Sequence, residues 1–111
     1  MDIIREYGTP LKLTYLPRIS ENIRFVQAAF AQAMEKFNYQ ANYTYCYCTK
    51  SSHFSFVLHE ALKHDIHLET SSAYDIPIIR SLAADKKIDK KIFIICNGFK
   101  RPQYIDGITG L

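Results

Sequence analysis

Apolar and polar positions along the chain fall into short blocks that alternate between a period of two and a helical period. Phe54, Val57, Leu58, Ala61 and Leu62 recur at i, i+3, i+4, i+7 and i+8, the stripe of an amphipathic helix. Just upstream, Tyr43 to Cys48 interleaves Tyr, Thr and Cys with little charge, which suits a pleated, largely buried strand. That strand would end at Lys50, with Ser51 and Ser52 as caps for the helix that follows. Ile66 to Thr70 predicts a second strand. Ser71 and Ser72 then lead into a helix carrying Ile78, Ile79, Leu82 and Ala83. The spacing Ser72-x-x-Asp75 predicts a capping box, and Pro77 requires the first helical turn to lie close by. Ile92 to Cys96 is a continuous apolar run, as in a strand covered on both faces. Asn97-Gly98 breaks it, and Pro102 opens a last helical face with Tyr104, Ile105 and Ile108.

The first part of the chain follows a different pattern. Residues 1 to 10 look like the end of a short helix stopped by Gly8 and Pro10. Leu11 to Leu16 alternates well enough for a strand, closed by Pro17. Ser20 would cap a helix to about residue 37, with Ile23, Val26, Phe30, Ala33, Met34 and Phe37 on one face. Residues 1–42 therefore predict a leading strand and a first helix, and residues 43–111 three strand-helix units. Such repetition predicts an α/β fold with a parallel sheet and right-handed crossovers. A closed (β/α)8 barrel needs more than about 200 residues. The expectation is that this chain is the N-terminal part of a longer barrel domain.

Composition narrows the classes. Nearly half of the chain is apolar, which is a globular rather than a disordered balance. The net charge of +3 is too small to imply nucleic acid by itself. The Tyr39, Tyr43, Tyr45, Tyr47 series lacks interleaved basic residues and reads as strand packing rather than a stacking platform. No apolar run approaches a membrane span. Three cysteines without paired spacing predict free thiols in a reducing cytoplasm. Asp85 to Lys91, with four Lys and two Asp, reads as a solvated loop.

Chemistry concentrates where strands end. A lysine at the carboxyl end of a strand in a parallel α/β fold lies where ligands gather, and partial burial can make such an amine a nucleophile. Tyr47-Cys48-Thr49-Lys50-Ser51-Ser52 resembles the Tyr-x-x-Lys-x-Asn signature of the alanine-racemase-like barrels that use pyridoxal phosphate. Glu69-Thr70-Ser71-Ser72-Ala73-Tyr74-Asp75 is similar to the next strand end of their decarboxylase branch, where an acid, a Ser and a second acid recur. Cys96-Asn97-Gly98-Phe99-Lys100 resembles the following strand end, and Tyr7-Gly8-Thr9-Pro10-Leu11 the way these chains approach the barrel. Four such stretches in order resemble the biosynthetic arginine decarboxylases of bacteria, over about Tyr7 to Leu111. Ser51-Ser52 departs from the family, which often has a small residue and Asn there.

The resemblance implies a partial TIM-type barrel and decarboxylation of arginine to agmatine at the start of polyamine synthesis. Lys50 would carry pyridoxal phosphate as a Schiff base and be the catalytic residue. Glu69, Ser72, Asp75 and Asn97 would join Lys50 as cofactor-binding residues. Each of the last three also has a local role open to it: capping for Ser72 and Asp75, a strand-ending turn for Asn97. The partners implied are a small amino-acid substrate and further copies of the full-length chain. Another basic amino-acid decarboxylase, a racemase of the same fold, or a non-enzymatic pyridoxal-phosphate carrier are the alternatives. No Gly-rich phosphate loop is identified, so the 111-residue chain alone is expected to be inactive.

Overall fold

A computed structural model describes residues 2–111. The sheet has three parallel strands in the order β1 (Cys46–Cys48), β2 (His67–Thr70), β3 (Ile94–Cys96). Helices α1 (Ile3–Tyr7) and α2 (Pro17–Lys36) precede it; α3 (Ser55–Ala61) and α4 (Ile76–Ala84) connect the strands, and α5 (Pro102–Thr109) follows. The chain is thus α/β, with three strand-helix units in sequence order.

Register determines which side chains share a face. Tyr47, Leu68 and Ile94 stand in one row across the sheet. This row packs against Leu58 of α3 and against Ile79 and Leu82 of α4. Thr70, two residues after Leu68 on the same face, meets α5: its Oγ1 lies 2.7 Å from the Tyr104 hydroxyl, with both residues buried. The helices α3, α4 and α5 therefore cover one face. The opposite face carries Cys46 beside His67, and Cys48, Glu69 and Ile95 in one row. No helix of the described residues covers it, and Ile95 remains 45% and Phe93 60% exposed.

This corrects the expectation for Ile92 to Cys96. The strand is shorter, and its apolar run serves one helical layer here, leaving the alternate residues open. Leu11 to Leu16 is a second correction. It is mostly exposed and forms no strand, because no neighbouring backbone among the described residues offers it a ladder. The leading strand expected in residues 1–42 is therefore absent, and α2 starts directly at Pro17, whose missing N–H suits the first helical position.

Ser20 is consequently inside α2 rather than at its cap. It is buried, and its hydroxyl donates to Glu60 Oε1 at 2.5 Å. Lys63 holds the other oxygen of Glu60 at 2.6 Å, and with Ser20 it lowers the carboxyl below its ordinary pKa. The ionised Glu60 accepts the Ser20 proton, so His64, 2.7 Å from Ser20 Oγ, must donate through Nε2–H. This chain of polar contacts, together with Ile23 against Ala61 and Ile66, locks α2 onto α3. Further along, the predicted apolar face of α2 leaves the core. Phe30 stacks on Tyr43 with centroids 4.2 Å apart, while Phe37 is 75% exposed.

Candidate functional site

The carboxyl ends of β1, β2 and β3 lie side by side because the strands are parallel and in sequence order. β1 stops at Cys48, and Thr49–Ser51 forms a tight 3-10 turn. Lys50 occupies this turn rather than the strand itself and is exposed; among the described residues it enters no ion pair. Ser51 and Ser52 do not cap α3. That helix starts at Ser55 after Phe54, which gives no side-chain cap; its carbonyl accepts the Val57 and Leu58 amides. The neighbouring Thr49 is fully buried, and its hydroxyl donates to the Glu69 carbonyl at 3.1 Å, joining the β1 turn to β2.

Glu69 stands on the uncovered face, level with Cys48 and Ile95. Two neighbours orient its carboxylate from either side. Asn97 Nδ2 donates to Oε1 at 3.1 Å, and the Cys48 thiol donates to the same oxygen at 3.4 Å. Burial pushes the Cys46 thiol up, and the charge of Glu69 adds to that, so the thiol beside this carboxylate stays protonated. Asn97 also closes its own turn, accepting the Gly98 amide on Oδ1 at 2.7 Å. One side chain thus ends β3 and orients an acid on β2.

Asp75 is buried to 1% exposure and has four donors. The amides of Ser71 and Ser72 reach Oδ2 at 2.7 and 2.9 Å, and Ser72 Oγ lies 3.3 Å from it. The Ser72 amide bond and the return bond from the Asp75 amide to the Ser72 side chain make a capping box. His53 Nε2 lies 3.1 Å from Oδ1. Burial would raise this carboxyl; the hydrogen bonds from the Ser71 and Ser72 amides and from His53 outweigh it and hold the group below its ordinary range. Ser72 and Asp75 therefore stand in the helix-capping arrangement. Lys100 is turned back on its own loop, donating to the carbonyls of Cys96 and Gly98 at 2.9 Å, with its ammonium 5.1 Å from the Tyr104 ring centroid.

The structure so brings Lys50, Glu69 and Asn97 to one edge and links Glu69 directly to Asn97. It places Ser72 and Asp75 beneath the same edge, in the turn after β2. Two participants escape the sequence: Cys48 as a donor to Glu69, and His53 as the partner of Asp75. Register explains the first, since Cys48 pairs with Glu69. The second is a contact across 22 residues that no local spacing signals.

Gly98 keeps the β2 and β3 ends close. Its φ is +80°, and a Cβ there would lie 2.5 Å from the Ser71 carbonyl oxygen. Gly98→Ala is expected to cost about 2 kcal/mol or more, from left-handed backbone strain and the displaced loop. Urea denaturation checks this; an unchanged midpoint would show that the loops part freely.

Comparison with known proteins gives two matches of the same name. The chain is 31% identical over 106 residues to the biosynthetic arginine decarboxylase of Prochlorococcus marinus strain MIT 9515. It is 27% identical over 106 residues to the biosynthetic arginine decarboxylase of a second Prochlorococcus marinus strain, SARG. Each match takes in 92% of this chain but 16% of the relative, so the chain spans about a sixth of the length of the curated relatives it matches. No family model matches, and no solved structure does. No helix of the described residues is long and apolar enough to cross a membrane.

Proposed function

We propose that this chain is part of the pyridoxal-phosphate-binding barrel of an arginine decarboxylase, with Lys50 as the residue that carries the cofactor. The names of its two relatives support a decarboxylase role. The observation that carries the reading is the common edge: an exposed amine on the turn after β1, and on β2 a carboxylate oriented by β3, beside an open sheet face. Three sequential parallel strands with α3, α4 and α5 on one face also suit a barrel wall. In a closed barrel the bare row of Cys48, Glu69 and Ile95 would face inward.

The residues present fit the reactive part of such a cofactor. Lys50, exposed on the tight turn after β1, would hold the cofactor through its amine. Glu69, whose carboxylate Asn97 orients, would set a negative charge at the same edge as the bound cofactor. Pyridoxal phosphate, when bound, supplies a ring that accepts the electron pair left as carbon dioxide departs. The barrel interior would exclude water from that edge. Substrate choice would come from residues elsewhere in the longer protein.

The test is carbon dioxide release from carboxyl-labelled arginine, with ornithine, lysine and diaminopimelate as alternative substrates. The longest native protein carrying this segment is expected to prefer arginine. The 111-residue chain alone is expected to release none, because one face of its sheet is open. Preference for another substrate would reassign the reaction within the same chemistry. Release by the short chain would refute the need for a closed barrel.

A further inference from the structure

We infer that His53 and Asp75 form a positioning pair that fixes the Lys50 turn against the end of β2. The inference rests on the proposed role of Lys50 and extends it to the contact between His53 and Asp75. His53 lies three residues beyond Lys50, and Asp75 six beyond Glu69. Each therefore belongs to the segment that leaves one of the two strand ends. Their contact at 3.1 Å, His53 Nε2 to Asp75 Oδ1, connects these segments side chain to side chain.

The remaining donors make the pair more than an isolated surface contact. Oδ2 of Asp75 is held by the Ser71 and Ser72 amides, so the carboxylate is rigidly part of the β2 turn. Its depressed pKa keeps it ionised at neutral pH, and an ionised carboxylate accepts only; His53 must present Nε2–H. The bond is charge-assisted on the acceptor side, and its acceptor is buried where water competes poorly. Thr49 adds a parallel tie from its hydroxyl to the Glu69 carbonyl. The capping box alone requires only Ser72 and Asp75. The fourth ligand of Asp75 comes instead from the segment that carries Lys50.

The test separates this role from ordinary stabilisation. His53 is 53% exposed at its side chain, and its removal leaves the capping box intact, so the variant is expected to fold. In the longest native protein, His53→Ala is expected to speed hydrogen exchange at the Lys50–Ser52 amides about fivefold, the worth of one net hydrogen bond. Exchange at Leu68, in the strand core, should not change. The rate at which borohydride fixes added pyridoxal phosphate to Lys50 should fall by a similar factor. His53→Gln, whose amide can donate from near the Nε2 position, should restore both. An unchanged turn in His53→Ala, or a uniform rise that includes Leu68, would overturn the proposal. The exchange measurement needs no cofactor. If the unaltered protein takes no label on Lys50, the cofactor reading falls alone and the exchange result still decides the pair.

Discussion

Lys50→Arg in the longest native protein is expected to abolish arginine decarboxylation, by at least about a thousandfold, with no loss of fold. The side chain lies on an exposed turn and contributes nothing to either hydrophobic cluster, so the structure tolerates the change. Arginine keeps the charge and much of the length, but its guanidinium does not form the linkage that a lysine amine forms with an aldehyde. The contrast with an electrostatic role is therefore direct. If Lys50 served only as a cation at the edge of the sheet, Arg would preserve most of the rate. Steady-state kinetics, alongside a melting curve on the same sample, distinguish the two.

Asp75→Ala is expected to be the most destabilising single change at this edge, at about 3 kcal/mol or more. It strands the Ser71 and Ser72 amides, removes the capping box and leaves His53 without its partner. For a small domain this is a large share of the total stability. The sign of the pH dependence follows from the lowered carboxyl. A group whose folded pKa lies below its unfolded value, about 3.9 for Asp, contributes fully above the unfolded value. That contribution is lost as pH falls through the lower folded pKa. Unaltered protein should therefore lose stability below about pH 4, and Asp75→Asn should show a shallower acid limb. Acid titration followed by far-ultraviolet circular dichroism measures both. Parallel acid limbs would mean that other carboxylates govern the transition.

How far these features were legible in the sequence depends on how local their causes are. Ser72 and Asp75 sit three apart in one turn, and that spacing predicts the capping box found. The helical stripe of Val57, Leu58 and Ala61 is likewise a local pattern, and all three residues are buried. Leu11 to Leu16 shows the limit. Alternation reports that a segment could pair, while pairing itself needs a partner strand. Ser20 shows a competing use of one residue type, since a hydroxyl that could cap a helix instead bonds Glu60 across two helices. Ile95 shows a third limit: an apolar side chain in a strand announces burial, but the layer that would cover it is not supplied by the described residues. At the site, Lys50, Glu69 and Asn97 could be picked out only because they stand at or near the carboxyl ends of successive strands in a familiar order. The bond between Glu69 and Asn97 and the reach of His53 to Asp75 depend on register and loop path, which no single segment encodes.

The most direct test of the central claim is chemical mapping. Pyridoxal phosphate is added to the longest native protein, the adduct is reduced with borohydride, and the modified peptide is identified by mass spectrometry. The expected result is a single major label on Lys50. A label on another lysine, or none on a folded protein, would contradict the account and leave Lys50 an ordinary turn residue at the edge of a parallel sheet.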